Sequence, residues 1–380
     1  MDFNILTQSE IRNMSLECDK IGGINLSQGI SNLKLEKTLS NYANESILNG
    51  YNYYTQFDGV DELKNSICAK AKKYNNITCD ASKNIVVSSG ATGAFYSACF
   101  ALLKPEDEVI VFEPFYGYHV NTIRAVGAIP AFVSLELPTL QLNYDEIIKK
   151  ITNKTRAILI CTPSNPSGKI FSEQELIKLG EICKTHNLFV FTDEIYEYFL
   201  YDGKKHISPA SLDIFKNNTI TISGFSKTFS ITGWRVGYCI VPEQYHEIIG
   251  HISDLIYVCS PSPFQYAVAQ GINKIKDSFY INIINNFTKK RDLLSNTLID
   301  IGLIPLIPDG AYYILADVSS VNGDSIKEKA MRILNKTKVA CVPGSAFYSS
   351  KKGNNIVRFC FAKEDSELEK ACENLLKLKI

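Results

Sequence analysis

Between Ile85 and Val241 the chain alternates short apolar runs with helical patterns, and this rhythm restricts the fold more than any other feature. Ile85-Val86-Val87, Val109–Phe112, Ile158–Cys161, Leu188–Phe191, Thr219–Ile222 and Tyr238–Val241 are short, often β-branched and bounded by Gly, Pro, Ser or Asn. Runs of this kind read as buried strands. Helical patterns fill several of the gaps. The clearest is Glu173–His186, with Ser172 in place as its N-cap. Alternation of strand and helix predicts an α/β fold in which a mostly parallel sheet is covered by helices on both faces. Ligands of such sheets collect at the carboxyl ends of the strands.

Beyond about residue 270 the pattern changes. A long helical stretch, Phe264–Ile301, ends near Gly302, and Tyr312–Asp317 and Asn355–Phe361 read as strands. Glu364–Leu378 reads as a closing helix, so a smaller α+β domain is expected here. A chain of 380 residues is long for one core and comfortable for two. Neither an internal repeat nor a low-complexity segment interrupts it.

Lysine plus arginine balances aspartate plus glutamate, 40 against 40, which gives no electrostatic reason to expect nucleic acid or an acidic membrane as a partner. The opening Met1–Leu6 has no basic segment followed by an apolar one, so a secretory leader is not expected. No apolar run approaches a membrane span. Eleven cysteines are scattered without a Cys-x-x-Cys pair. Mostly buried thiols in a reducing cytoplasm are the natural reading. The five histidines are dispersed and form no His-Glu-x-x-His unit, so no metal site is expected.

The segments that follow the strands carry the chemistry, because loops at strand ends hold functional groups on a rigid frame. Lys227, between Ser226 and Thr228, comes just after the run Thr219–Ile222, and Arg235 stands eight residues further on. A lysine so placed can form a Schiff base, and the arginine can hold a phosphate. Ser88–Ala94 follows the first run; its small residues Gly90, Ala91 and Thr92 open a helix, which suits an anion or simply a capped turn. It is neither Gly-x-Gly-x-x-Gly nor a Walker loop, which disfavours nucleotides. Tyr116 can stack on a planar ring or pack in a core. Asn165, in a tight Asn-Pro turn, can donate to a phenolate-like oxygen or serve the turn alone. Asp193 is either a loop acid at the surface or a buried one that needs a cationic partner, such as a protonated pyridine nitrogen. Arg358, inside the apolar run Ile356–Phe361, is either edge-exposed or aimed at a carboxylate.

Taken in this order, each after a strand, these segments resemble the class I/II aminotransferases of pyridoxal phosphate fold type I. The likeness runs from Ile24–Gly29 to Arg358. Its most specific pieces are Ser226–Tyr238 and Thr192–Glu197. Within the family the chain is most similar to the branch holding kynurenine, glutamine, methionine and aspartate/aromatic aminotransferases. The resemblance implies a large domain with a mostly parallel seven-stranded sheet over residues 41–270, a small domain over 271–380, and an N-terminal arm, 1–40, joining the small one. It implies transfer of an amino group from an L-amino acid to a 2-oxo acid, by a ping-pong route through the pyridoxamine form of the cofactor. A β-lyase or a biosynthetic cyclase or oxidase on the same scaffold is the alternative, and a non-enzymatic regulator a remote one.

The resemblance also implies roles. Lys227 would carry pyridoxal phosphate as an internal aldimine and move the proton between Cα and C4′. Asp193 would pair with the pyridinium nitrogen, Asn165 and Tyr196 would bind the phenolic oxygen, and Tyr116 would stack on the ring. Gly90, Ala91, Thr92 and Arg235 would hold the phosphate. Tyr54 would reach the phosphate of the neighbouring subunit, making a homodimer with shared sites. Arg358 would grip the substrate α-carboxylate, with Asn165 and the backbone at Gly29. Two positions depart from the pattern. Gly224 stands where relatives usually have a phosphate-binding serine, so that contact is absent or is supplied by Ser223 or Ser226. Gln28-Gly29-Ile30-Ser31-Asn32 lacks the Pro-Asp that often follows this glycine.

Overall fold

The structure, a computed structural model, describes residues 9–31 and 34–378. The expected opening segment Met1–Leu6, the first eight residues of the N-terminal arm, and Asn32 of the departing loop lie outside the described residues.

Thirteen strands appear in three sheets among the described residues. The largest has seven, in the order β2-β8-β7-β6-β5-β3-β4. These are β2 (Ile85–Ser89), β3 (Glu108–Glu113), β4 (Ile129–Ser134), β5 (Thr155–Cys161), β6 (Phe189–Asp193), β7 (Thr219–Gly224) and β8 (Val236–Ile240). β3 pairs in parallel with β4 and β5, and β5–β6 and β6–β7 are parallel too. β8 alone runs the other way, antiparallel to both β2 and β7. The six expected runs all fall on strands. The seventh, β4, carries Pro130 and pairs only with β3 at the sheet edge, the one place where a proline's missing donor costs no ladder bond.

Two of the apolar clusters that pack on this sheet show its layering. One joins Val86, Val111, Leu159 and Phe191 to helix Gly90–Leu102. The other joins Ile110, Ile158 and Val190 to Leu176 and Leu179 of helix Glu173–Thr185. Alternate strand residues thus face opposite helical layers, as the two-residue repeat of a strand requires. Helix Glu173–Thr185 starts with a capping box, in which Ser172 and Glu175 satisfy each other's backbone N–H groups.

The remaining strands belong to the other sheets. β1 (Ile24–Asn25) pairs in parallel with β11 (Val339–Ala340). β9 (Ile304–Leu306), β10 (Tyr313–Asp317), β12 (Val342–Pro343) and β13 (Ile356–Cys360) form a four-stranded sheet in the order β12-β13-β10-β9. A third cluster packs Met14, Cys18 and Leu26 against Leu294, Leu298, Val357 and Leu375.

The single helical stretch expected over Phe264–Ile301 is two helices, Ser262–Lys274 and Asp277–Asp300. Ile275 and Lys276 between them are extended. Lys274 sits in the last turn of the first helix and Asp277 in the first turn of the second. Charges so placed favour one helix ending and another beginning there.

Candidate active site

The sheet delivers its functional residues to one edge. β2, β3, β5, β6 and β7 run in one direction and end there, followed by Gly90, Tyr116, Asn165, Asp193 itself and Lys227. β8 runs the opposite way, so Arg235, just before its first residue, reaches the same edge. Arg358 arrives from β13 of the other sheet. All of these groups except Gly90 line one cavity of about 930 Å³, with Gly29, Ala91, Thr92 and Tyr196 in its walls. Gly90 is next to the lining residue Ala91 in sequence and packs against Arg235.

Lys227 is the one lysine in the lining. Its Nζ donates to the Gly29 carbonyl at 3.3 Å and lies 5.9 Å from the centre of the Tyr196 ring. Burial lowers its pKa to about 8; the guanidinium groups of Arg235 and Arg358 push the same way. About a tenth of a lysine with that pKa is the neutral, nucleophilic amine at pH 7, far more than at the ordinary value of 10.5.

Asp193 is buried, which rules out the surface-loop reading. Its Oδ1 accepts from the Ile195 backbone N–H at 3.1 Å, and its Oδ2 lies 2.8 Å from His119 Nε2. Arg358, only 1% exposed, is not an edge residue. It donates through one nitrogen to Asn165 Oδ1 at 2.9 Å and through another to the Ser27 carbonyl at 2.6 Å. The rings of Tyr313 and Phe347 lie against its guanidinium plane at 4.3 and 4.9 Å. Register explains the first contact: Arg358 pairs with Leu315, two residues along β10 from Tyr313 and so on the same face. Arg358 Nε is buried without a partner.

Tyr196 shares a 2.8 Å hydrogen bond with the Tyr313 hydroxyl. Burial, with Tyr312 and Tyr313 close by, pushes its phenol well up, so it stays protonated as a donor. Gly29 has no room for a side chain: a Cβ there would sit 2.0 Å from the Tyr313 oxygen. Gly90 has φ +71°, and a Cβ would meet the Arg235 guanidinium at 2.2 Å. Arg235 donates to the carbonyls of Thr232 and Ser89 at 2.9 and 3.2 Å, which aims it at the start of helix Gly90–Leu102. Tyr116 precedes helix Gly117–Ala125 and packs edge-on against His119, with ring centres 5.3 Å apart.

The departure at Gly224 resolves locally. A Cβ there would lie 3.0 Å from the Gly237 Cα and 3.2 Å from the Val236 carbonyl, a tight fit. Ser223 donates to Glu197 at 3.0 Å, whereas Ser226 lines the cavity. Tyr54 is not in the cavity of its own chain; it is 83% exposed, beside Tyr51 and Tyr53 in a shallow second hollow. Sequence reasoning missed His119 and Tyr313. His119 lies one helical turn after Tyr116, a spacing that places both on one face. Tyr313 offered no local signal, because the β10–β13 register puts it beside Arg358. Arg12 and Arg124, also in the lining, were missed as well.

A buried amine, an anion cradle at a helix start, a buried acid, an aromatic wall and an arginine with an orphaned Nε fit pyridoxal phosphate and a substrate carboxylate. Fold and cavity together define a fold type I pyridoxal phosphate enzyme. The chain belongs to the aminotransferase class I and II family, whose model matches residues 21–375. It is 33% identical to a kynurenine–oxoglutarate transaminase of Dictyostelium discoideum, over 95% of this chain and 92% of that one. It is also 33% identical to an aspartate aminotransferase of Pyrococcus abyssi, over 99% and 96%. The structure of N-succinyldiaminopimelate aminotransferase from Mycobacterium tuberculosis superposes with a TM-score of 0.94 at 30% identity, covering 98% of this chain and 97% of that one. The protein is a pyridoxal-phosphate-dependent aminotransferase acting on amino acids and 2-oxo acids.

Proposed function

We propose that the cavity performs transamination with the following division of labour. Lys227 would hold the cofactor through its amine and, when free, would carry the proton to and from the substrate Cα. Its amine with a pKa of about 8, facing Asp193 and Arg358 across one cavity, is the observation that carries this reading. Bound cofactor supplies an electron sink for the bond broken at Cα. Asp193, held by His119 and the Ile195 N–H, pairs with the ring nitrogen. Tyr196 and Asn165 would donate to the ring oxygen, and Tyr116 would supply the aromatic wall against the ring. Ala91 and Thr92, with Gly90, Ser226 and Arg235, hold the phosphate. Arg358 takes the α-carboxylate in its fork, with Asn165 and Gly29 alongside, and so sets which Cα bond stands across the ring plane.

Tyr54 we assign to the cavity of a second copy. Its exposure supports this, as does the exposure of Leu48, Tyr53 and Leu255, large apolar groups that a homodimer would cover. The clusters built on the seven-stranded sheet support a large domain over 41–270, and the cluster joining Met14, Cys18 and Leu26 to residues between Ile283 and Leu378 supports a small one over 271–380 joined by the arm 1–40; that cluster also takes in Ile195, Tyr196, Phe199 and Tyr201, and the break at Ile275 favours a boundary slightly later. Eleven free cysteines support a reducing, cytoplasmic setting. No helix among the described residues is long and apolar enough to cross a membrane.

The relatives are named for kynurenine, aspartate, aromatic amino acids and methionine, and the donor here is to be found among such L-amino acids. The test is a half-reaction screen without acceptor. A transaminase releases one 2-oxo acid per site and stops until an acceptor is added. Continuous release of pyruvate and a thiol from a cysteine conjugate would instead establish a β-lyase.

A further inference from the structure

Away from the cavity, two thiols meet. Cys68 lies in the last turn of helix Asp61–Lys70, and Cys79 lies in the connection toward β2. Their Sγ atoms are 3.1 Å apart. Seven of the eleven cysteines are buried, whereas both of these are partly exposed. A disulfide needs an S–S separation of about 2.05 Å, so roughly 1 Å of approach would close the bond.

We propose that Cys68 and Cys79 form a reversible dithiol–disulfide site, oxidised by exchange with a small disulfide such as glutathione disulfide. One protein thiolate attacks a sulfur of the oxidant and expels one small thiolate. The second protein thiolate then attacks the resulting mixed disulfide at the protein sulfur and expels the other. Two protein thiols lose two electrons, the oxidant disulfide gains them, and the two protein protons end on the two released thiols.

The link encloses a specific piece of structure. After Lys70 the helix continues as one wider turn, Ala71–Asn75, and leaves through Asn76 at φ +57°. Lys70 and Asn75, both inside the loop, donate to the same carboxylate oxygen of Glu197, and both are buried. Glu197 follows Tyr196 in sequence, and its other oxygen accepts from Ser223 at 3.0 Å. Closing the loop ties down the segment that fixes Glu197, and no residue from 68 to 79 is in the cavity lining. A bond between groups already in contact stabilises mainly by restricting the unfolded chain.

The experiment uses holoenzyme equilibrated in glutathione buffers of graded oxidised-to-reduced ratio, then alkylated, digested and weighed. The expected product is a linked pair of peptides carrying Cys68 and Cys79, lighter by two hydrogens than the separate peptides and reversed by dithiothreitol. The linked-to-reduced ratio should rise about tenfold for each tenfold rise in oxidised over squared reduced glutathione, as a two-electron couple requires. In Cys68→Ser the link disappears and Cys79 carries a glutathione adduct. The linked wild type should unfold at a higher temperature than the reduced form, with no such gain in Cys68→Ser. Full alkylation of both thiols at the most oxidising ratio would overturn the proposal. So would a stable glutathione adduct on either wild-type thiol without the internal link, and equal unfolding temperatures would overturn the stabilising role.

Discussion

His119 Nε2 and Asp193 Oδ2 lie 2.8 Å apart, both side chains buried, one from helix Gly117–Ala125 and the other from the end of β6. With the Ile195 N–H on the second oxygen, the carboxylate is held from both sides. A buried acid oriented in this way is ready to meet a cationic ring nitrogen.

That orientation has a measurable value. Replacing Asp193 with Asn should lower kcat by about 10²-fold or more, because the ring nitrogen loses its counter-charge. His119→Asn should cost about 10- to 10²-fold, since a hydrogen bond to a charged group contributes roughly 1.5–3 kcal/mol. The loss should fall on kcat with KM for the amino acid nearly unchanged, which steady-state kinetics on both variants would check.

The lowered pKa of Lys227 gives a pH signature in the cofactor-free protein. Only the neutral amine captures an aldehyde, so the capture rate should rise through about pH 8 and level off above it. Stability follows the same titration. The folded pKa of about 8 lies below the ordinary 10.5, so between these values the unfolded chain binds more protons at this site. This site's contribution to stability therefore grows as pH rises through that window and is lost on the way down. Denaturant unfolding of the cofactor-free protein across the window should show a more positive slope of stability with pH in wild type than in Lys227→Met.

Arg358 combines two hydrogen bonds with two ring contacts. Lysine keeps the charge and loses the fork. Arg358→Lys should therefore lower kcat/KM for amino acids by about 10²-fold, the cost of misplacing the reacting bond. The absorbance of bound cofactor should stay as in wild type. An unchanged kcat/KM would remove Arg358 from substrate binding.

Tyr54 predicts complementation between copies. Tyr54→Phe should weaken cofactor binding, and Lys227→Ala should be inactive. In a mixed dimer of the two variants, one site has lost both groups and the other has kept both. Mixing Tyr54→Phe with excess Lys227→Ala should then restore wild-type cofactor affinity to the remaining active sites. Unrestored affinity would place Tyr54 outside any shared site.

How much of this was legible in the residues follows from range. The six runs that read as strands are buried and free of proline, so local composition revealed them; β4 escaped because Pro130 disguises an edge strand. The Ser172 cap is a local signal immediately before the helix and appears as expected. That Lys227, Asp193 and Asn165 share one cavity was readable because each ends or follows a strand of one mostly parallel sheet, which brings distant segments to a common edge. Tyr313 was not, since its place beside Arg358 is set by pairing across 45 residues of chain. The close approach of Cys68 and Cys79 depends likewise on how the turn between them is wound.

The proposed chemistry depends on the amine at position 227. Holoenzyme saturated with pyridoxal phosphate, reduced with borohydride and digested should yield one cofactor-bearing peptide, with the added mass on Lys227. A tag on any other lysine, or none at saturation, would contradict it.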